Sequence, residues 1–137
     1  MKKTLISIFA SILCAGCSTS AAQEAWKTVT AQQAQEMMET ETDYIVLDVR
    51  TQDEYNSGHI PQAICLPYDS ISEENTSEFR IDQLILVYCR SGNRSKKACA
   101  TLSDLGFENV VDFGGISEWP GTIVKYKVST WISFLMC

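Results

Sequence analysis

The apolar pattern of this 137-residue chain predicts an α/β domain built on a mainly parallel sheet. Three observations carry that expectation. The runs Tyr44–Val49 and Leu84–Tyr88 are continuously apolar rather than alternating, which suits strands covered on both faces. Segments with helical spacing stand between the strand candidates, the order that produces crossover connections. The length suits one domain, and an apolar content of 45% can fill its core.

Each element has its own local reason. Thr30 followed by Gln33 forms a capping-box pattern that opens a helix through about Glu39, with Ala34, Met37 and Met38 on one face. Tyr44–Val49 follows as the first strand. Thr51 and Glu54 repeat the capping-box pattern, and Gly58 stops that short helix. Ala63–Leu66 reads as a second strand closed by Pro67. Residues 69–82 are polar and acidic and read as a loop with a turn or two of helix. The strand Leu84–Tyr88 ends at Cys89, and a helix from about Ser95 to Leu105 places Ala98, Leu102 and Leu105 at helical spacing before Gly106. Asn109–Phe113 is a fourth strand, followed by Gly114 and Gly115.

The N-terminus reads as an address. Lys2 and Lys3 precede an uncharged run that lasts until Glu24, and its apolar part, Leu5–Leu13, is too short to span a bilayer. Leu13-Cys14-Ala15-Gly16-Cys17-Ser18 resembles a bacterial lipoprotein box, in which cleavage before the Cys is followed by its acylation. The expected organisation is a signal peptide over 1–16, a tether over 17–27 behind a lipidated Cys17, a domain over 28–121, and an apolar tail over 122–137. Ordinary cleavage after Ala22, releasing a soluble periplasmic or secreted protein, is the competing reading. Lipidation is preferred because small residues directly before a Cys at the end of such a run are uncommon. It implies a protein of the bacterial cell envelope, attached to the membrane by its lipid and facing the periplasm. The tail carries Trp131, Ile132, Phe134, Leu135 and Met136, but its length and Lys125 and Lys127 exclude a membrane span.

Charge narrows the function. The net charge is −6, and without Lys2 and Lys3 nine basic residues face 17 acidic ones. Such a surface excludes nonspecific nucleic-acid binding. The six cysteines form no paired C-x-x-C ligand set, so no metal site is expected, and the spacing of Cys65, Cys89, Cys99 and Cys137 specifies no disulfide pairing. Four of the nine remaining basic residues, Arg90, Arg94, Lys96 and Lys97, crowd one segment that begins at Cys89. In Cys89-Arg90-Ser91-Gly92-Asn93-Arg94-Ser95 a strand ends and a helix begins, the usual place for ligands in an open α/β sheet. Amides around Gly92 and the helix start can cradle an anion. A free thiol with a pKa near 8.5 is only about 3% thiolate at pH 7, and helix amides and nearby guanidinium groups are the devices that raise that share.

Several segments together carry a family resemblance. Asp48-Val49-Arg50, Glu54-Tyr55 and Gly58-His59-Ile60-Pro61-Gln62-Ala63 resemble the opening half of a rhodanese-like domain. Cys89–Ser95 resembles its active loop, and Leu105-Gly106-Phe107, Val110, Gly114-Gly115-Ile116 and Trp119-Pro120-Gly121 resemble its closing half. The resemblance implies a three-layer fold with a central, mostly parallel five-stranded sheet and helices on both faces. It also implies sulfurtransfer, with no metal or organic cofactor. Cys89 is then the nucleophile that becomes a persulfide, and Arg90, Ser91, Gly92, Asn93 and Arg94 bind a small anionic sulfur donor such as thiosulfate. The acceptor is a thiol, a cyanide-like nucleophile, or a sulfur-accepting protein.

Asp48, Arg50 and Glu54 are expected to form a scaffold network, because buried charge needs partners. Glu54 is free to pair with either basic neighbour. His59 is expected to brace its loop, since a thiolate needs no general base, and Cys65 and Cys99 are expected to be small buried side chains. Two other readings stay open. A persulfide carrier or binding module would use the same residues without efficient turnover. A cysteine-dependent phosphatase or arsenate reductase would have its Arg after five intervening residues, whereas only four separate Cys89 from Arg94.

Overall fold

The computed structural model describes residues 25–125. The expected leader, the lipidation position Cys17 and most of the apolar tail lie outside those residues. The described chain forms β1 (Lys27–Thr28), α1 (Ala31–Thr40), β2 (Tyr44–Asp48), α2 (Gln52–Ser57), β3 (Ile64–Cys65), β4 (Leu84–Cys89), α3 (Asn93–Asp104) and β5 (Asn109–Gly115). Single 3₁₀ turns at Tyr68–Ser70 and Ile116–Glu118 complete it. The five strands form one sheet in the order β1-β5-β4-β2-β3, with every pairing parallel.

Alternate residues of the strands feed two cores. Leu47, Val49, Ile85, Val87, Cys89 and Val110 pack with Ala98, Cys99 and Leu102 of α3 on one face. Val46, Leu86, Tyr88, Val111 and Phe113 pack with Ala31 and Ala34 of α1, and with Ile60 and Ala63, on the other. A sheet buried on both faces is what the unbroken apolar runs require, and helices on both sides provide the cover.

Both capping boxes form. Thr30 and Gln33 exchange side-chain-to-backbone bonds at 2.9 and 3.2 Å, and Thr51 and Glu54 do so at 3.1 and 3.3 Å. Four elements differ from the sequence-based expectation, β5 among them because it runs past Phe113 to Gly115, which pairs with Cys89. The sheet takes in Lys27, read as the end of the tether, because Lys27 and Thr28 pair with Val111 and Asp112 and so supply the fifth strand. β3 is shorter than Ala63–Leu66, since the Ala63 amide closes a turn onto the Ile60 carbonyl at 3.1 Å. α3 starts at Asn93 rather than Ser95, because Gly92 takes the N-cap in a left-handed conformation, φ 95°. The start of the tail is tied down: His59 and Val124 exchange both backbone hydrogen bonds at 2.9 Å in an antiparallel bridge.

Candidate active site

Cys89 is the last residue of the central strand β4, and its side chain is 1% exposed beneath the turn into α3. The turn wraps the sulfur with donors. The Gly92 amide donates to Sγ at 3.0 Å, and the Ser95 hydroxyl lies 3.7 Å from Sγ while donating to the Gly92 carbonyl at 3.0 Å. Burial pushes the Cys89 thiol up, but hydrogen bonds from the Ser95 backbone and hydroxyl and from the Ser91 and Gly92 backbone outweigh it. The thiol therefore lies below its ordinary value. Cys65 and Cys99 are also free thiols, and both are pushed up by burial, with Asp48 adding to the effect at Cys65 and Asp112 at Cys99. Among the described residues three thiols thus divide by environment, and only the one in the loop is shifted toward the thiolate.

The loop owes its shape to close backbone approach from β5. Cys89 and Gly115 are sheet partners, and a Cβ on Gly115 would lie 2.4 Å from the Arg90 carbonyl oxygen. A Cβ on Gly92 would meet Gly114 Cα at 3.5 Å, and the Gly114 amide donates to Asp112 Oδ1 at 3.0 Å. The backing for the cradle is therefore glycine backbone.

Side chains anchor the loop from the other face. Arg50 makes a salt bridge to Asp48 at 2.6 Å and donates to the Gly58 carbonyl at 2.7 Å, with both side chains buried. Burial opposes the Arg50 charge, yet hydrogen bonding and attraction to Asp48 more than offset it and hold its pKa raised. The Tyr88 hydroxyl donates to Asp48 Oδ2 at 2.7 Å and accepts from the Ile60 amide at 3.1 Å. Glu54 stands outside the Asp48–Arg50 pair, so the expected network of three is held by those two alone. The Glu54 carboxylate takes Arg94 in a two-bond fork, Nη1 at 2.7 Å and Nη2 at 2.8 Å. His59 stacks on Tyr55 with ring centroids 3.7 Å apart, and its Nδ1 lies 2.9 Å from the Tyr55 carbonyl oxygen, so it braces the end of α2.

The structure thus brings Cys89 to Arg94 together as one ring. Ser91 and Gly92 contribute backbone donors, Arg90 and Asn93 are exposed, and Arg94 closes the ring while held by Glu54. Sequence reasoning missed the contact of Ser95 with the sulfur. The signal was present, since a Ser three residues past a helix cap is a residue that bonds locally. It also missed Glu54 as the partner of Arg94, which lies 40 residues away. Among the described residues no group of His, Cys, Asp and Glu is arranged to hold a metal ion. A separate cleft of about 320 Å³ at the amino ends of the strands is lined by Glu41, Asp43, Asp82 and Glu108, the wrong sign for an anionic donor.

Comparison with known proteins bears on the fold and the family. A sulfurtransferase of Allochromatium vinosum is 40% identical over 87 residues, covering 63% of this chain and 79% of that protein. The adenylyltransferase and sulfurtransferase UBA4 of Meyerozyma guilliermondii is 38% identical over 86 residues, covering 57% of this chain. The match spans only about 20% of that longer relative. The crystal structure of the Alr3790 protein from Anabaena sp. superposes with a TM-score of 0.67 at 28% identity, covering 78% of this chain and 100% of that one. A family model described as the rhodanese-like domain matches residues 30–122, so this chain belongs to the rhodanese-like domain family.

Proposed function

We propose that the chain is a sulfurtransferase that moves a sulfane sulfur from thiosulfate or a persulfide donor, through a persulfide on Cys89, to a thiophilic acceptor. One observation carries the reading: Cys89 ends β4 beneath the turn into α3, where the Gly92 amide donates to its sulfur at 3.0 Å and the Ser95 hydroxyl lies 3.7 Å away, an environment that lowers this thiol while burial raises those of Cys65 and Cys99. In the first step the Cys89 thiolate attacks the outer sulfur of thiosulfate. A new S–S bond forms, the old one breaks, and its electron pair leaves with sulfite. In the second step an acceptor thiolate attacks the outer persulfide sulfur, and the pair of the Cys89–sulfur bond returns to Cys89 as thiolate. No proton need move in either step. The donors that hold the Cys89 thiolate are placed to hold the terminal persulfide sulfur, and the Ser95 hydroxyl can turn from the Gly92 carbonyl to follow the charge.

The phosphatase reading is weaker on two counts. The ring is one residue shorter than the phosphate loop, and the Arg94 fork that would grip phosphate oxygens is occupied by Glu54. For location, the Lys2-Lys3 start and the Gly16-Cys17-Ser18 junction support a lipid-anchored protein of the bacterial envelope. Among the described residues no helix is long and apolar enough to cross a membrane.

The test is mass analysis after exposure to donor. Wild-type protein gains about 32 Da, one sulfur atom, on the peptide holding Cys89, and Cys89→Ser gains nothing, because an alcohol is scarcely ionised near neutral pH. Sulfur found on Cys65 or Cys99, with Cys89→Ser still loading, refutes the mechanism.

A further inference from the structure

Glu54 stands at the third position of α2, where its carboxylate accepts from the Thr51 amide and hydroxyl, each at 3.1 Å. The same carboxylate faces Arg94 and takes both terminal nitrogens of the guanidinium. The Arg94 hydrogen bond holds the Glu54 carboxyl well below the usual carboxylate range, at about 2, although burial opposes it. Glu54 is therefore ionised at every working pH. A planar fork is the feature that makes Arg suited to an oxyanion, and here a carboxylate of the protein already fills it.

The other cations near the loop are differently placed. Arg50 is buried and committed to Asp48. Lys97 lies 5.8 Å from the centre of the Tyr68 ring. Arg90 and Lys96 are exposed and form no ion pair among the described residues, so water and salt screen their charges. What faces the sulfur directly is the Gly92 amide, which donates to it, and the Ser95 hydroxyl, which accepts from the thiol and can turn to donate to a thiolate, a set suited to one negative charge.

We propose that Glu54 is a specificity-determining residue: by pairing with the Arg94 guanidinium it offsets that charge at the cradle and biases the site toward singly charged organic persulfides over dianions such as thiosulfate. The inference rests on the sulfurtransfer reading and narrows its donor class. Thiosulfate brings two negative charges to a thiolate, whereas an organic persulfide brings one. With the persulfide, Cys89 attacks the outer sulfur, the donor S–S bond breaks, and its electron pair departs on the organic thiolate. Total charge is conserved in both reactions, but the thiosulfate encounter concentrates one more negative charge in the cradle. A neutral Arg–Glu pair does little to offset it.

The test compares loading of Cys89 from thiosulfate and from 2-hydroxyethyl persulfide, whose single charge is the persulfide itself, in the full chain, with inorganic sulfate as a competing dianion that has no sulfane sulfur to give. Glu54→Gln keeps the helix cap, since Gln33 makes the same cap on α1, but removes the charge. The thiosulfate-to-persulfide ratio of kcat/KM should rise about tenfold, the effect of restoring one elementary charge in a partly solvated site, and sulfate should inhibit more tightly. Glu54→Asp, which keeps the charge, should stay near the wild-type ratio. Should Glu54→Gln fail to fold, Arg94→Gln provides the opposite perturbation: it leaves the Glu54 charge uncompensated and should lower the ratio by a similar factor. An unchanged ratio and unchanged sulfate inhibition in a folded Glu54→Gln overturn the proposal alone, as does an equal loss with both donors. Failure of the wild type to take sulfur from any donor overturns the sulfurtransfer reading as well.

Discussion

Gly115 is where one added methyl group tests the geometry of the active loop most directly. A Cβ there would lie 2.4 Å from the Arg90 carbonyl oxygen and 3.0 Å from both Arg90 C and Ser91 Cα. Carbon and a carbonyl oxygen ordinarily approach no closer than about 3.3 Å, so something must move by roughly 1 Å. The ladder between Cys89 and Gly115 holds the two strand ends, which leaves Arg90 and Ser91 to give way. Those are the first residues of the cradle. Overpacking of this kind costs about 1–3 kcal/mol, and each kcal/mol lowers Tm by about 4–8 °C in a domain of this size. A misplacement of about 1 Å at a reacting centre can cost about 100-fold in rate. Gly115→Ala is therefore expected to melt several degrees lower and to load sulfur about two orders of magnitude more slowly, measured by thermal denaturation and time-resolved mass analysis. Gly106→Ala is the control. Gly106 has φ 95° but nothing within 4 Å of its Cβ position, so the substitution costs about 1–2 kcal/mol of backbone strain and leaves loading intact. Gly115→Ala with wild-type Tm and loading would refute the close-approach argument.

Other outcomes follow from the same geometry. Because the Cys89 thiol lies below its ordinary value and the thiolate is the attacking form, loading should rise with pH through a midpoint below that of a free thiol; Ser95→Ala should move the midpoint up, and an unmoved midpoint would exclude the hydroxyl from the stabilisation. Asp48→Asn strands a buried guanidinium at Arg50 and should cost about 3–5 kcal/mol in denaturant unfolding, whereas a loss below about 1 kcal/mol would show that the pair is not structural. Cys17→Ala should leave the precursor uncut or release the protein from membranes, while wild-type mature protein beginning at Gln23 without lipid mass would disprove the anchor.

Local features of the fold were legible because short segments determine them. Thr30 and Thr51 each stand three residues before a Gln or Glu, and both caps form as that spacing implies. The strand Leu84–Cys89 needed only its own apolar run. Features that depend on a distant partner were not legible. Nothing about Lys27 and Thr28 alone marks a strand, for they have neither length nor alternation, and they are held by Val111 and Asp112 more than 80 residues on. Nothing in the spacing of Glu54 and Arg94 selects that pair over Glu54 and Arg50. The choice is made by topology, since Arg50 is turned into the interior by Asp48 and the Gly58 carbonyl. The start of α3 was placed two residues late for a different reason: a glycine cap leaves no side-chain signature of the Ser, Thr or Asp kind.

The two charge pairs have separate tasks, and the path between them explains how the loop keeps its form. Tyr88, the residue before Cys89, donates to Asp48, and Asp48 pairs with Arg50. Arg50 grips the carbonyl of Gly58 at the end of α2, and Glu54 on that helix grips Arg94. The chain of contacts therefore leaves β4 just before Cys89 and returns to the loop at Arg94, tying both ends of the loop to α2. Each ion pair along it is neutral as a unit, so the chain of contacts supplies rigidity with little net field. The sulfur is left to the Gly92 amide, the helix start and Ser95, groups whose partial charges act only at short range. Such a site stabilises negative charge on one atom, which is what the proposed mechanism requires of it, at the thiolate before transfer and at the terminal persulfide sulfur after it.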